Sequence, residues 1–174
     1  MPSSRKETAT VPDLSAVLEG LIKSGINFIL VGGLASVVQG APIATMDVDI
    51  VHQRTTENIG KLLSFLKSVD SYHRRPDDQR IEPAEQDLSG EGHALFSTRF
   101  GPLDVLAGIE EGKTYDDLIE HTVDVEFRGN TIKVLDLKTI IELKRTSQHP
   151  KDQQRLPVLE ETLRQLQEMT GDDP

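Results

Sequence analysis

The sequence predicts an α+β fold: a mixed β-sheet with flanking helices and a C-terminal helical pair. Three observations carry this expectation. Apolar residues recur at helical spacing in four segments, 14–22, 56–68, 137–144 and 156–166. Short apolar or alternating runs lie between them. Four of those runs form two neighbouring pairs around Gly-containing turns, as hairpins do, so the chain is not a purely parallel βαβ series.

Asp13 can cap the first helix, whose apolar stripe is Leu14, Val17, Leu18, Leu21 and Ile22; Ser24-Gly25 ends it. The run 26–31 is short, apolar and rich in β-branched residues, which reads as a buried strand. Gly32-Gly33 breaks it, and 34–39 forms a short helix stopped by Gly40 and Pro42. Over 46–51 the pattern alternates, with Met46, Val48 and Ile50 on one face and Asp47 and Asp49 on the other. The next helix, 56–68, is marked by Ile59, Leu62, Leu63 and Leu66. The polar stretch 70–93 is too long for a plain connection, so it is either a mobile loop over a site or carries a short strand. Strands over 94–99 and 103–109 flank Phe100-Gly101-Pro102, and a short helix covers 115–121. Strands over 123–127 and 131–134 flank Arg128-Gly129-Asn130. Asp136 caps a helix built on Leu137, Ile140 and Ile141, and the last helix carries Leu156, Leu159, Leu163 and Leu166. The expected organisation is a disordered lead over 1–12, one domain over 13–170 (sheet core 13–134, helices 135–170) and an acidic tail over 171–174.

Composition narrows the function. The 174 residues carry 19 Lys and Arg against 29 Asp and Glu, a net charge of −10. Binding nucleic acid without sequence preference needs surplus cations, so non-specific DNA binding is not expected. An acidic chain still binds nucleotides when a divalent metal stands between carboxylate and phosphate. Cysteine is absent, which excludes disulfides, Cys-zinc sites and thiol catalysis and fits a reducing compartment. No apolar run approaches the ~20 residues that span a bilayer, and the start lacks a signal-peptide core. The expected location is the cytoplasm, with no membrane partner.

Four features could carry chemistry. Asp47 and Asp49, at i and i+2 of a strand, project from one face roughly 6–7 Å apart, which suits oxygen ligation of Mg²⁺; a solvated strand face is the plainer reading. Gly32-Gly33, after a buried strand and before a helix, lets the backbone approach a phosphate, with Ser36 able to add a hydroxyl; a tight turn explains it equally. Asp104 interrupts an apolar strand and either faces water or joins the two other carboxylates. Lys144 stands on the apolar face of its helix, where it needs an anion or must snorkel to water. Lys151 and Asp152 open the last helix and either flank the same pocket or form a surface ion pair. His73-Arg74-Arg75, in the 70–93 stretch, either meets an anionic substrate or is a solvated charge cluster, the plainer reading, and the remaining histidines show no zinc spacing.

Taken in order, 28–35 (Phe-Ile-Leu-Val-Gly-Gly-Leu-Ala), 40–50 (Gly-Ala-Pro-Ile-Ala-Thr-Met-Asp-Val-Asp-Ile) and 103–106 (Leu-Asp-Val-Leu) resemble the DNA polymerase beta-like nucleotidyltransferase superfamily. Within it, the chain is similar to small bacterial nucleotidyltransferases related to the abortive-infection (AbiEii) toxins. Leu143-Lys144-Arg145 followed by Pro150-Lys151-Asp152 resembles the Lys and Lys-Asp of their C-terminal helices, so the likeness runs from about 13 to 170. The resemblance implies a mixed sheet of the nucleotidyltransferase type, and transfer of a nucleoside monophosphate from an NTP such as ATP, with release of pyrophosphate. It implies Asp47, Asp49 and Asp104 as catalytic ligands of Mg²⁺ or Mn²⁺. Gly32 and Gly33, with Ser36 and Thr45 beside them, would hold the triphosphate, and Lys144 and Lys151 would neutralise it. The acceptor is left open between RNA, protein and a small molecule, as are a homodimer, a cognate protein partner and a toxin–antitoxin role. Relatives often carry Arg where this chain has Ile43, and Lys or another polar residue where it has Met46. A second reading is therefore a catalytically weak nucleotide- or protein-binding module of the same fold.

Overall fold

The computed structural model describes residues 11–77 and 79–171. The expected lead therefore lies outside the described residues except at its last two positions, and the tail except at Gly171. In chain order the elements are α1 (Leu14–Lys23), β1 (Phe28–Val31), α2 (Gly32–Val38), β2 (Val48–His52), α3 (Thr56–Ser68), β3 (Tyr72–His73), α4 (Glu85–Ser89), β4 (His93–Thr98) and β5 (Gly101–Leu106). There follow β6 (Gly108–Ile109), β7 (Lys113–Thr114), α5 (Tyr115–Leu118), β8 (Thr122–Phe127), β9 (Asn130–Leu135), α6 (Leu137–Arg145) and α7 (Pro150–Thr170).

The main sheet has seven strands in the order β3-β4-β5-β2-β1-β9-β8, and β6-β7 make a separate small ribbon. It is mixed: β1 runs antiparallel to β2 but parallel to β9, and β2 runs parallel to β5. The fold class is the one the sequence predicts. Central β1 is buried along its whole length, so it reads as an unbroken apolar run, whereas β5 alternates, as β2 does over its first three residues. Val48, Ile50, Leu103 and Val105 are fully buried, so Asp49 and Asp104 lie on the opposite side of their strands. Helix α1 packs on α3 closely enough that a Cβ on Gly20 would fall 2.5 Å from Phe65.

Local chemistry explains the element ends. Asp13, Thr55 and Asp136 each accept a hydrogen bond from a backbone N–H in the first turn of α1, α3 and α6. Arg128 and Gly129 both have positive φ, +49° and +79°, the type I′ geometry that follows the twist of a two-residue hairpin. The 70–93 stretch carries a short strand, β3, one of the two alternatives expected for it, and also α4: His73 pairs with Asp87, and an Asp87 oxygen caps its own helix. Three boundaries differ from expectation. β2 begins at Val48 and not at position 46, so Met46 is exposed and Asp47 precedes the strand. The β4–β5 turn is Arg99-Phe100, not Phe100-Gly101-Pro102. The Thr98 hydroxyl accepts from Phe100 and Gly101, and Pro102 already faces Ser97 in the ladder. The run 103–109 is not one strand: it breaks at Ala107, and 108–109 pair with β7.

At the C-terminal end, α6 lies against α2 and α7. Gln39 ties this corner together. Its amide donates to the carbonyls of Ala35 and Leu135 and accepts from the backbone of Leu137. The exit of β9, and with it the whole of α6, is thus fixed relative to the glycine turn.

Candidate active site

Three carboxylates meet at the seam between β2 and β5. The parallel register sets Asp49 directly beside Asp104, and Asp47 lies two residues earlier, just before β2 begins. One oxygen from each lies within 4.8 Å of the other two. Burial first, then a hydrogen bond with Asp104 and the charges of Asp47 and Asp104, push the Asp49 carboxyl up to about 8, against the pull of Arg74. Such a cluster is short of positive charge. Oxygen-only donors at this spacing fit a hard divalent cation, and the three residues suit Mg²⁺ or Mn²⁺.

The glycine turn closes over this cluster. Gly32 has φ +71°, and a Cβ there would lie 2.1 Å from Asp49 Oδ2, so no side chain fits. Gly33 is packed as well: a Cβ there would lie 3.0 Å from Thr45 Oγ1 and 3.3 Å from Arg155 Nη1. Thr45 therefore sits where the sequence suggested, against the glycines. Ser36 does not. It is fully buried within α2, with its hydroxyl unpartnered inside the protein, because the inward face of this seven-residue helix begins at Leu34.

A cavity of about 450 Å³ extends from Asp49 and Gly32. Val31, Leu106, Leu135, Ile140 and Leu143 form most of its wall, and His93, Glu110 and Lys144 supply polar groups. Lys144 is the inward-facing cation the sequence suggested, and its Nζ lies 2.8 Å from Asp152. Burial alone would raise the Asp152 carboxyl. The hydrogen bonds from Lys144 and Ser147, with the Lys144 charge, outweigh it and hold the carboxyl below its ordinary value. Lys151, one residue before, is exposed and is not part of the cavity wall.

Two site residues escaped the sequence reading. Arg74, read as part of a solvated cluster, forms an ion pair with Asp104; its backbone N–H donates to Leu95, opposite Asp104 in the ladder. The only sequence signal was the His-Arg-Arg run itself. Arg155, from α7, donates from Nη2 to the carbonyl of Ala44 at 2.9 Å and lies over Gly33. It gave no signal beyond being a cation near the start of the last helix.

No protein-family model matches the chain, and no curated protein matches it. Solved structures do. The lincosamide antibiotic adenylyltransferase LnuA, determined with lincomycin bound, superposes with a TM-score of 0.54 at 13% identity over 83% of this chain and 92% of that one. ANT(2'')-Ia in complex with adenylyl-2''-tobramycin gives 0.52 at 12% identity, over 84% and 85% of the two chains. The solution structure of the antibiotic-resistance factor ANT(2'')-Ia gives 0.51 at 12% identity, over 84% and 80%. At these identities the likeness is one of fold: the chain has the architecture of nucleotidyltransferases, with an acidic triad at its sheet seam.

Proposed function

We propose that this chain is a metal-dependent nucleotidyltransferase that moves a nucleoside monophosphate from an NTP to a hydroxyl of a small-molecule acceptor. The observation that carries the reading is the convergence of Asp47, Asp49 and Asp104 beside Gly32, with Asp49 lining a cavity, in a fold shared with adenylyltransferases. Asp47, Asp49 and Asp104 would hold Mg²⁺ or Mn²⁺, which supplies Lewis-acid neutralisation of phosphate charge. Having no side chains at Gly32 and Gly33 brings the backbone of the turn against the Asp49 carboxylate, Thr45 and Arg155, where its N–H groups would meet the triphosphate. The acceptor oxygen bonds to the α-phosphorus, the bond from that phosphorus to the bridging oxygen breaks, and pyrophosphate leaves with the electron pair. Asp104 takes the hydroxyl proton.

Two facts favour a small acceptor over RNA. The net charge is −10, against the cationic surface a polyanion needs. The similar structures were solved with lincomycin and with adenylyl-tobramycin, both small molecules. A second reading, a nucleotide-binding module without efficient transfer, is favoured by one observation: Arg74 engages Asp104, the residue assigned the proton.

Calorimetric titration of NTPs with Mg²⁺, on wild type and on the Asp47→Asn/Asp49→Asn double variant, tests the binding site. Labelled NTP with candidate aminoglycoside-like and lincosamide-like alcohols then tests transfer. Binding that needs both carboxylates, followed by label transfer with release of pyrophosphate, is expected. Binding without transfer to any alcohol favours the second reading, and transfer retained by Asp47→Asn overturns the first.

A further inference from the structure

We infer that Arg155 is a phosphate-binding residue of the nucleotide site, delivered by α7 to the second glycine of the turn. The inference rests on the reading of the site as nucleotide-binding.

Three cationic side chains stand against the site: Arg74 on Asp104, Lys144 in the cavity wall and Arg155 over Gly33. Arg74 and Lys144 each have a carboxylate partner, Asp104 and Asp152. Among the described residues, Arg155 makes no ion pair; its only hydrogen bond there is the one from Nη2 to the Ala44 carbonyl. A guanidinium has five N–H donors in a planar fork suited to phosphate oxygens, so most of its capacity is unused.

Position supports the same assignment. Gly32 and Gly33 are consecutive; the Asp49 carboxylate fills the space a side chain would take at the first, and Arg155 Nη1 and Thr45 fill it at the second. Chain geometry therefore puts the guanidinium within roughly a dozen ångströms of the Asp49 carboxylate. A polyphosphate lying across the two glycines, with its reacting phosphate at the carboxylates, reaches Arg155 with its outer phosphates. Arg155 is half-buried and its Nη2 is tethered, so little side-chain freedom remains to be lost on binding.

The competing account is a strap: Arg155 merely pins the 43–47 loop to α7 and so positions Asp47. The experiment separates the two. Wild type, Arg155→Ala and Arg155→Lys are titrated with Mn²⁺ alone, then with each of the four Mg-NTPs and with Mg-pyrophosphate, and the ligand-free Tm is recorded for each. The expected result is a loss of about tenfold or more in affinity for the preferred NTP in Arg155→Ala. A parallel loss is expected for pyrophosphate, with partial recovery in Arg155→Lys and unchanged Mn²⁺ affinity. If Arg155→Ala binds NTP like wild type, the inference is wrong and the proposed function stands. If it loses Mn²⁺ and NTP affinity alike, Arg155 is a strap and the inference is wrong. If wild type binds no NTP, the proposed function fails and takes the inference with it.

Discussion

Asp49 shows how a single side chain can be set against the stability of its own fold. Its unfolded pKa is close to 3.8 and its folded value is about 8. Without a divalent cation the folded protein holds a proton that the unfolded chain has lost throughout that window. The contribution to stability is therefore complete below about pH 4 and lost as pH rises through 8. Asp49→Asn removes the cost of charging a buried group. It is expected to stabilise the ion-free protein at pH 8 by about 1 kcal/mol, a rise of about 3 °C in Tm, and to flatten the pH dependence between 4 and 8. Thermal melts in a chelator at several pH values check this; a lower Tm for the variant at pH 8 would show that the carboxylate is already neutralised. Gly32 is the steric counterpart. Gly32→Ala puts a methyl where Asp49 Oδ2 now lies and strains a positive φ. The expectation is a loss of about 1–3 kcal/mol in denaturant unfolding, together with loss of metal binding in calorimetry.

Whole elements are positioned by contacts that differ in how far they reach along the chain, and this decides what the sequence could reveal. The helix Thr56–Ser68 and the Arg128-Gly129 hairpin were legible because cap, periodicity and turn chemistry are written into neighbouring residues. The face of Asp49 was legible from strand alternation, whereas Asp47 reaches the cluster from the residue before β2. That β2 runs beside β5 in parallel, bringing Asp104 to Asp49, depends on a pairing across more than fifty residues and has no local signature; the acid in an apolar strand, and the resemblance carried by the ordered motifs, pointed to it. Arg74 and Arg155 were hidden for the same reason, since each reaches the site from a distant element. The α6–α7 corner was half-visible: Lys144 on an apolar face demanded an anion, and the structure supplies Asp152. Asp152→Asn leaves that lysine without its countercharge and is expected to cost about 1–3 kcal/mol near pH 7. Because the folded Asp152 carboxyl lies below its ordinary value of 3.8, its contribution is present above about pH 4 and lost as pH falls through the folded value. Urea unfolding at pH 7 and at pH 3 should therefore show a gap that narrows in acid. A constant gap would mean that Asp152 acts through packing rather than charge.

For the molecule as a whole, the dominant facts are an excess of negative charge and one place where that charge is concentrated and unpaid. A net charge of −10 spread over the surface is screened by salt and says little about a site, but three carboxylate oxygens within 4.8 Å are screened far less. These two populations of charge predict different responses to cations. Monovalent salt should raise Tm gradually, by easing surface repulsion, and should do so equally in wild type and in Asp47→Asn/Asp49→Asn. Mg²⁺ or Mn²⁺ at constant ionic strength should add a saturable rise in wild type alone. That rise follows RT ln(1 + [L]/Kd), about 2.7 kcal/mol at a hundredfold excess over Kd, and is reversed by a chelator. Scanning calorimetry across a metal series at fixed ionic strength separates the terms. A divalent effect of equal size in the double variant would assign it to the acidic surface and remove the metal centre from the account. A rise confined to wild type would tie the net charge, the parallel β2–β5 seam and the glycine turn to one purpose, because the fold then spends stability in the ion-free state on a cluster that only a cation can complete.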